Sequence, residues 1–529
     1  MRLLAALLLS AIPAVAAAQA APSPLIMQDV NTQRFGEAAS LAAATGDPLV
    51  MKLVTFYRLL APGGGTPEEI RDFIARNPDW PDQGLLALRE KEAEGLPATG
   101  LPKITPPFLE QAEALHKAGD DAQAAALWAE QGKAAAAAAD GAQRLMFWPQ
   151  QERLARALLS EGDAKSAYAV VAAVAPPPDG EQAHEQAGSR DFLAGFLLLR
   201  FLHQPEQAAT WFSDLASAST AVITQARAWY WLGRSETGAQ ATADYRRAAL
   251  YTDTYYGQLA AMALGDTPAQ LAQRILRTGE PSYTPANAID FALMELPRAA
   301  DLLVQMGDPH DAATFLDRLG HTAIDDRTRL LAAKLALAFG IPQSAVAIAR
   351  VAGIHGEMLI REGWPIPVSA RGAVVPPAVA YGVMRQESSF NTTAISGAGA
   401  MGLMQLEPAT ARMTARRSGL PDNNLFDPAQ NIALGSTYLD GLIMRFGGCL
   451  PLAIAGYNAG PGNVANWLAL NGDPRLGNSA GGADIIDWIE EIPFSETRNY
   501  VQRVTESIVI YDALLSGSAT SPLAPWMQK

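Results

Sequence analysis

The sequence predicts an all-α protein in two parts: a long N-terminal α-superhelical solenoid, then a smaller helical C-terminal domain. Three observations carry that expectation. Alternating apolar and β-branched runs of the kind strands need are scarce over all 529 residues. From about residue 25 to about residue 350 one loose unit returns: an apolar helix end, a Gly, then Ala followed by a large apolar residue. Finally, Pro377, Pro408 and Pro461 each stand where a helix would open, at a position whose missing N–H costs nothing.

The first twenty residues read as a cleaved secretory signal. Arg2 is a short positive start, Leu3 to Val15 an apolar core, and Ala18-Gln19-Ala20 the small residues a peptidase needs. The mature chain then begins near Ala21 with no membrane anchor, since the apolar run is too short for a span and no Cys adjoins the cleavage site. The recurring unit follows at Leu115–Gly119–Ala124–Trp128, Leu158–Gly162–Ala167–Tyr168, Leu303–Gly307–Ala312–Phe315 and Leu335–Gly340–Ala345–Ile348. Gly tolerates the positive φ that ends a helix, and Ala lets neighbouring helices approach. The spacing between units is irregular, which fits stacked helical hairpins rather than a strict repeat. Gly363-Trp364-Pro365-Ile366-Pro367 and Pro376-Pro377 interrupt the pattern, so the superhelical region is assigned to 21–365 and the second domain to 366–529. There helices are expected over 377–387, 408–418, 428–446, 451–457, 461–470, 484–491 and 496–515. Ser396-Gly397-Ala398-Gly399-Ala400-Met401-Gly402 is too glycine-rich for helix and predicts a turn or short hairpin.

Composition removes several function classes. Hydrophobic residues make up 49% and charged ones 18%, a globular balance, and the formal net charge of −14 argues against nucleic acid and anionic lipid as partners. His116, His184, His203, His310, His321 and His355 all precede the C-terminal domain. That domain therefore holds no Ser-His-Asp triad, no Cys-His pair and no His-containing zinc site. Cys449, the single cysteine, sits in an apolar stretch and reads as core. No phosphate-binding Gly-rich loop or dinucleotide fingerprint is present, so no cofactor and no metal are expected. Any chemistry in this domain falls to its 13 acidic residues. Among them Glu387 ends a mostly apolar helical stretch from Pro377 and precedes Ser388-Ser389-Phe390. Partial desolvation there would raise its pKa and keep a proton ready for a glycosidic oxygen. Spacing alone does not decide this, because a Glu near a helix end is ordinarily solvated.

Four blocks together are more specific. Met384-Arg385-Gln386-Glu387-Ser388-Ser389-Phe390, the run Gly399 to Gln405, Tyr457-Asn458-Ala459-Gly460, and the run Ile492 to Val501 resemble the soluble lytic transglycosylase family, in its order and at compatible spacing. They cover about residues 370–515. Tyr255-Tyr256-Gly257-Gln258-Leu259-Ala260 is more loosely similar to the superhelical domain of that family. The resemblance implies a lysozyme-like C-terminal domain acting on peptidoglycan glycan strands in the periplasm. It also implies that cell-wall synthesis or division proteins could dock on the helical region. Glu387 would protonate the leaving oxygen between N-acetylmuramic acid and N-acetylglucosamine. It would then take the proton of the C6 hydroxyl as that closes a 1,6-anhydro ring. The substrate's own N-acetyl group assists, so no second carboxylate is required.

Supporting roles follow by resemblance. Ser388 bonds near the acid or the substrate N-acetyl group, or else caps its helix. Met404 packs on a sugar face, or else lies in the core. Gln405 bonds substrate and Tyr457 steadies charge around Glu387. Asn458 touches sugar or fixes the turn. Glu496 contacts substrate or interacts with its helix dipole. Asp440, Asp484, Asp487, Glu490 and Glu491 read as solvated helix faces. Glu407 departs from the family, which has apolar residues just before this Pro. It is either an exposed carboxylate at a helix start or a second acid near the cleft. Two alternatives stay open: a hydrolytic muramidase of goose-lysozyme type with the same fold, and a catalytically inactive wall-binding scaffold.

Overall fold

The computed structural model describes residues 21–97, 104–477 and 481–527, so the expected signal segment 1–20 lies outside the described residues. The described chain is built of α-helices, with extended pairing limited to isolated bridges. Local chemistry sets the helix starts. Thr66 and Thr267 close capping boxes with Glu69 and Gln270, each one residue ahead of a Pro at the first helical position. In the recurring unit, Gly119, Gly162, Gly307 and Gly340 follow helix ends with φ of +79°, +87°, +82° and +75°. The Ala and aromatic residues after them, such as Ala124, Trp128, Ala312 and Phe315, are buried. No helix among the described residues is long and apolar enough to cross a membrane.

The superhelix does not stack in simple chain order. Its first helices, Leu25–Asn31 to Gln83–Ala93, share a core with those from Pro285–Leu293 to Pro342–Ile354, more than 200 residues later. Phe56, Phe73, Trp80 and Phe315 cluster there with ring centroids 5.1 to 5.9 Å apart. The intervening helices, Pro107–Lys117 to Pro268–Leu276, share a different core, which is continuous with that of the C-terminal helices.

Those C-terminal helices lie within a few residues of expectation: Pro377–Ser388, Pro408–Ser418, Pro428–Arg445, Leu450–Ala459, Pro461–Asn471, Ile485–Glu491 and Ser495–Ser516. The seam joining them to the superhelix is polar and tightly bonded. Tyr255 donates its backbone N–H to the Glu506 carboxylate at 2.8 Å, and the Gln258 amide donates to the Glu506 carbonyl at 3.2 Å. The tyrosine-rich motif at 255–260 is therefore a docking surface. Trp364 is buried as well; its indole N–H reaches Ser507 at 3.1 Å, and the Arg385 guanidinium lies 3.9 Å from its ring centre.

One sequence expectation is corrected at this seam. Asp484, Asp487, Glu490 and Glu491 are not a solvated face. Glu490 is 1% exposed and accepts from Gln502 at 2.8 Å, from the Tyr256 hydroxyl and from Arg227 at 3.2 Å. Asp487 pairs with Arg200 and with Arg234, the latter at 3.1 Å. Asp484 caps its own helix through the N–H of Ile486 at 2.8 Å and lies 3.5 Å from Arg234. Burial pushes Glu491 up to about 8. Periodicity finds a polar face but cannot see arginines brought against it by another element. Replacing Glu490 with Ala leaves Arg227 and the Gln502 amide buried without their acceptor, and should cost about 3–5 kcal/mol in urea unfolding. A loss under about 1 kcal/mol would mean that water replaces the carboxylate.

Candidate active site

The helix Pro377–Ser388 packs along Ser495–Ser516, burying Ala378, Val379, Ala380, Val383 and Met384. Glu387 emerges in its last turn. The Tyr500 hydroxyl, from the facing helix, donates to one Glu387 oxygen at 2.6 Å. The other oxygen has no hydrogen-bond partner among the described residues and stays open to solvent. Burial pushes the Glu387 carboxyl up, the Tyr500 hydrogen bond pulls it down and the charge of Glu496 pushes it up, leaving it at about 7. Such a group is close to half protonated at neutral pH, so both its forms are ready to hand.

The backbone around it is held in unusual conformations. Six described non-glycine residues have left-handed φ, and three of them are Ser389 (48°), Phe390 (68°) and Gln405 (46°), all at this site. Strain of that kind persists only where packing over-determines the chain. Here Ser388 donates to the Leu403 carbonyl at 2.8 Å, tying the helix end to the glycine-rich segment. That segment is a short hairpin with bridges at Ile395–Met401 and Met401–Leu406. Buried Asn431 pins it, accepting from the Met404 N–H at 2.8 Å and donating to the Met401 and Leu425 carbonyls at 2.9 Å each. Gly402 must be glycine. Its φ is +76°, and a Cβ there would stand 2.2 Å from the Leu425 carbonyl oxygen and 2.5 Å from the Asn431 amide.

A family model described as the transglycosylase SLT domain matches residues 368–476, which hold Glu387, the hairpin and Tyr457. The soluble lytic murein transglycosylase of Salmonella typhimurium is 42% identical over 147 residues, covering 27% of this chain and 21% of that protein. The membrane-bound lytic murein transglycosylase C of Actinobacillus pleuropneumoniae serotype 5b is 30% identical over 301 residues, covering 49% of this chain and 77% of that protein. The chain belongs to the lytic murein transglycosylase family. It matches only about a fifth of the length of the Salmonella relative. An inactive mutant of lytic transglycosylase Slt from Pseudomonas aeruginosa shares the fold, with a TM-score of 0.56 and 22% identity over 93% of this chain and 81% of that one. The all-α expectation, a superhelix beside a lysozyme-like domain, is the fold observed.

Within this family member the expected site residues fall into two groups. Tyr457 lies close enough to Glu387 to feel its charge, and its hydroxyl donates to the Met404 carbonyl at 2.8 Å. Gln405 is half-buried, its amide nitrogen spent on the Ala394 and Gly402 carbonyls at 3.1 and 2.8 Å, which leaves the amide oxygen for a ligand. Glu496 is exposed and acts on Glu387 through its charge. The others are structural. Met404 is fully buried, with its sulfur and Cβ packed onto Gly435, so its thioether has no surface to offer a sugar. Ser388 is the tether described above, and Asn458 accepts from Thr497 at 2.6 Å, fixing the turn. Glu407 is exposed at the start of the helix Pro408–Ser418, and its side chain makes no cap bond there. Sequence reasoning gave no role to Tyr500 or Asn431. For Tyr500 a signal existed: it stands four residues after Glu496, on the same helical face. Tyr500 lies beyond the stretch that the family model matches, whereas Asn431 lies within it.

Proposed function

We propose that this protein cleaves the β-1,4 bond between N-acetylmuramic acid and N-acetylglucosamine in peptidoglycan strands without using water, leaving 1,6-anhydro ends. The observation that carries the reading is Glu387: a largely buried carboxyl at about 7, one oxygen fixed by Tyr500 and the other free. The proton leaves the free oxygen for the glycosidic oxygen as the bond to C1 breaks. The muramoyl N-acetyl oxygen covers C1 as an oxazolinium-like species. The C6 hydroxyl then attacks C1 and returns its proton to Glu387, so the acid is restored and no water is consumed. Substrate assistance of this kind needs no carboxylate nucleophile. The Gln405 amide oxygen and the Glu496 carboxylate bind the strand, and Tyr457 supports the charge on Glu387.

In this reading residues 366–529 are the catalytic domain, and the superhelix over 21–365 restricts which strands enter and offers its outer surface to cell-wall synthesis or division proteins. Export through residues 1–20 delivers the chain to its substrate in the periplasm. Mass analysis of sacculi digested by the full chain tests the reaction. Anhydro products are lighter than hydrolysed ones by one water and are the expected result. Products that carry the added water assign a goose-type muramidase instead, and sacculi left intact assign a wall-binding scaffold.

A further inference from the structure

Glu387 and Tyr500 arrive on different helices, the first near the end of Pro377–Ser388 and the second near the start of Ser495–Ser516. Their 2.6 Å bond therefore depends on where those two helix ends stand. The start of the second helix is held from outside the catalytic domain. Arg498, two residues before Tyr500, is 5% exposed. One arm of its guanidinium donates to the Ile492 carbonyl at 2.8 Å, tying the approach to the helix onto its first turn. The other arm donates at 3.0 Å to the carboxylate of Glu152, in the superhelix, on the helix Phe147–Ser160. Arg156, one turn further along that helix, donates to the same Glu152 oxygen at 3.1 Å and to the Glu490 carbonyl at 3.0 Å. Two arginines, one from each domain, thus share one oxygen of one carboxylate. The end of the first helix is approached from the superhelix as well: Arg350, on Pro342–Ile354, reaches the Arg385 carbonyl at 3.5 Å and the Ser389 hydroxyl at 3.4 Å.

Glu152 is the stronger of these two ties. Burial pushes its carboxyl up, but the charges of Arg156 and Arg498 outweigh burial and hold it below its ordinary value, as an anion. An exposed ion pair fixes little, whereas a sheltered carboxylate shared by two guanidinium groups restrains all three side chains. Without Glu152, Arg498 would be a buried cation beside Arg156 and Arg227, with Glu490 the remaining acid near it. It would turn toward water and take the first turn of its helix with it. We infer that Glu152 is a positioning residue for the catalytic acid: from the superhelix, it fixes the helix start that aims Tyr500 at Glu387. This rests on the reading of Glu387 as the proton donor. The superhelix then does more than admit strands, since the acid is set correctly only with it in place.

The test uses the full-length protein and its Glu152→Ala and Glu152→Gln variants, each with and without Tyr500→Phe. Initial rates on sacculi are followed across pH, with the masses of the products. Glu152→Ala should lower kcat about three- to tenfold with little change in KM. As the Tyr500 bond weakens, the descending limb of kcat/KM should move to higher pH by about half a unit. Removal of a negative charge acting only through space would move that limb to lower pH, so its direction separates the two causes. Glu152→Gln keeps an acceptor oxygen for Arg498 and should restore part of the loss. Once Tyr500 is Phe, loss of Glu152 should leave the limb where it is, because the effect passes through the hydroxyl. A limb that stays in place or moves to lower pH overturns the positioning role, as does an equal shift with and without the hydroxyl. Should the Ala variant fail to fold, the Gln variant answers through the same two comparisons. Products that carry an added water overturn the anhydro-forming reaction and leave the acid and its support standing, whereas an undiminished rate in Glu387→Gln overturns both.

Discussion

Glu387→Gln should lower kcat on sacculi by about a thousandfold or more, because in the proposed reaction the same carboxyl first gives a proton and then accepts one. The amide has nearly the shape of the acid and still accepts from Tyr500, so binding of strands should survive while turnover does not. The measurement is release of anhydro products under saturating substrate. Digestion at an undiminished rate would remove Glu387 from the mechanism and with it the role of Tyr500.

The same substitution carries a stability consequence of definite sign. Glu387 has its folded pKa raised, from an ordinary value near 4.5 to about 7. Its favourable contribution is therefore fully present below about pH 4.5 and is lost as pH rises through about 7, where a charged carboxylate must be held in a sheltered site. Relative to the variant, the wild-type protein should lose up to about 3 kcal/mol between those limits. Glu387→Gln should thus unfold at higher denaturant than wild type above pH 7 and at nearly the same denaturant near pH 4. Keeping an acid where chemistry needs it works against the fold at neutral pH.

The C-terminal helices were legible because Pro fixes their first turns; Pro377, Pro408 and Pro461 all open helices where the sequence placed them. Glu387 was legible because its block carries both the apolar helix that shelters it and the residues that follow. Interactions formed between distant segments were not. Tyr500 meets Glu387 across 113 residues, and only the packing of two helices brings them together. Glu490 was misread for the same reason, since a carboxylate on a polar helical face looks alike whether water or Arg227 faces it. Met404 shows the limit from the other side. A thioether suits a sugar face and a core equally, and only the close approach of Gly435 decides.

Tyr500 and Glu496 act on Glu387 with opposite signs, and their variants should separate accordingly. Tyr500→Phe removes the hydrogen bond that stabilises the carboxylate, so the Glu387 pKa should move above about 7. Glu496→Gln removes a like charge, so it should move below. Because the protonated form begins the proposed reaction, kcat/KM should fall as pH rises through this pKa. That descending limb should shift to higher pH in the first variant and to lower pH in the second. Tyr500→Phe should also cost about 10- to 100-fold in kcat at its own optimum, since the carboxyl loses the bond that directs its free oxygen toward the substrate. A simple packing role for Tyr500 predicts a lower rate with the limb unmoved. Limbs displaced in the same direction by both substitutions would contradict the balance of burial, hydrogen bond and like charge on which the acid depends.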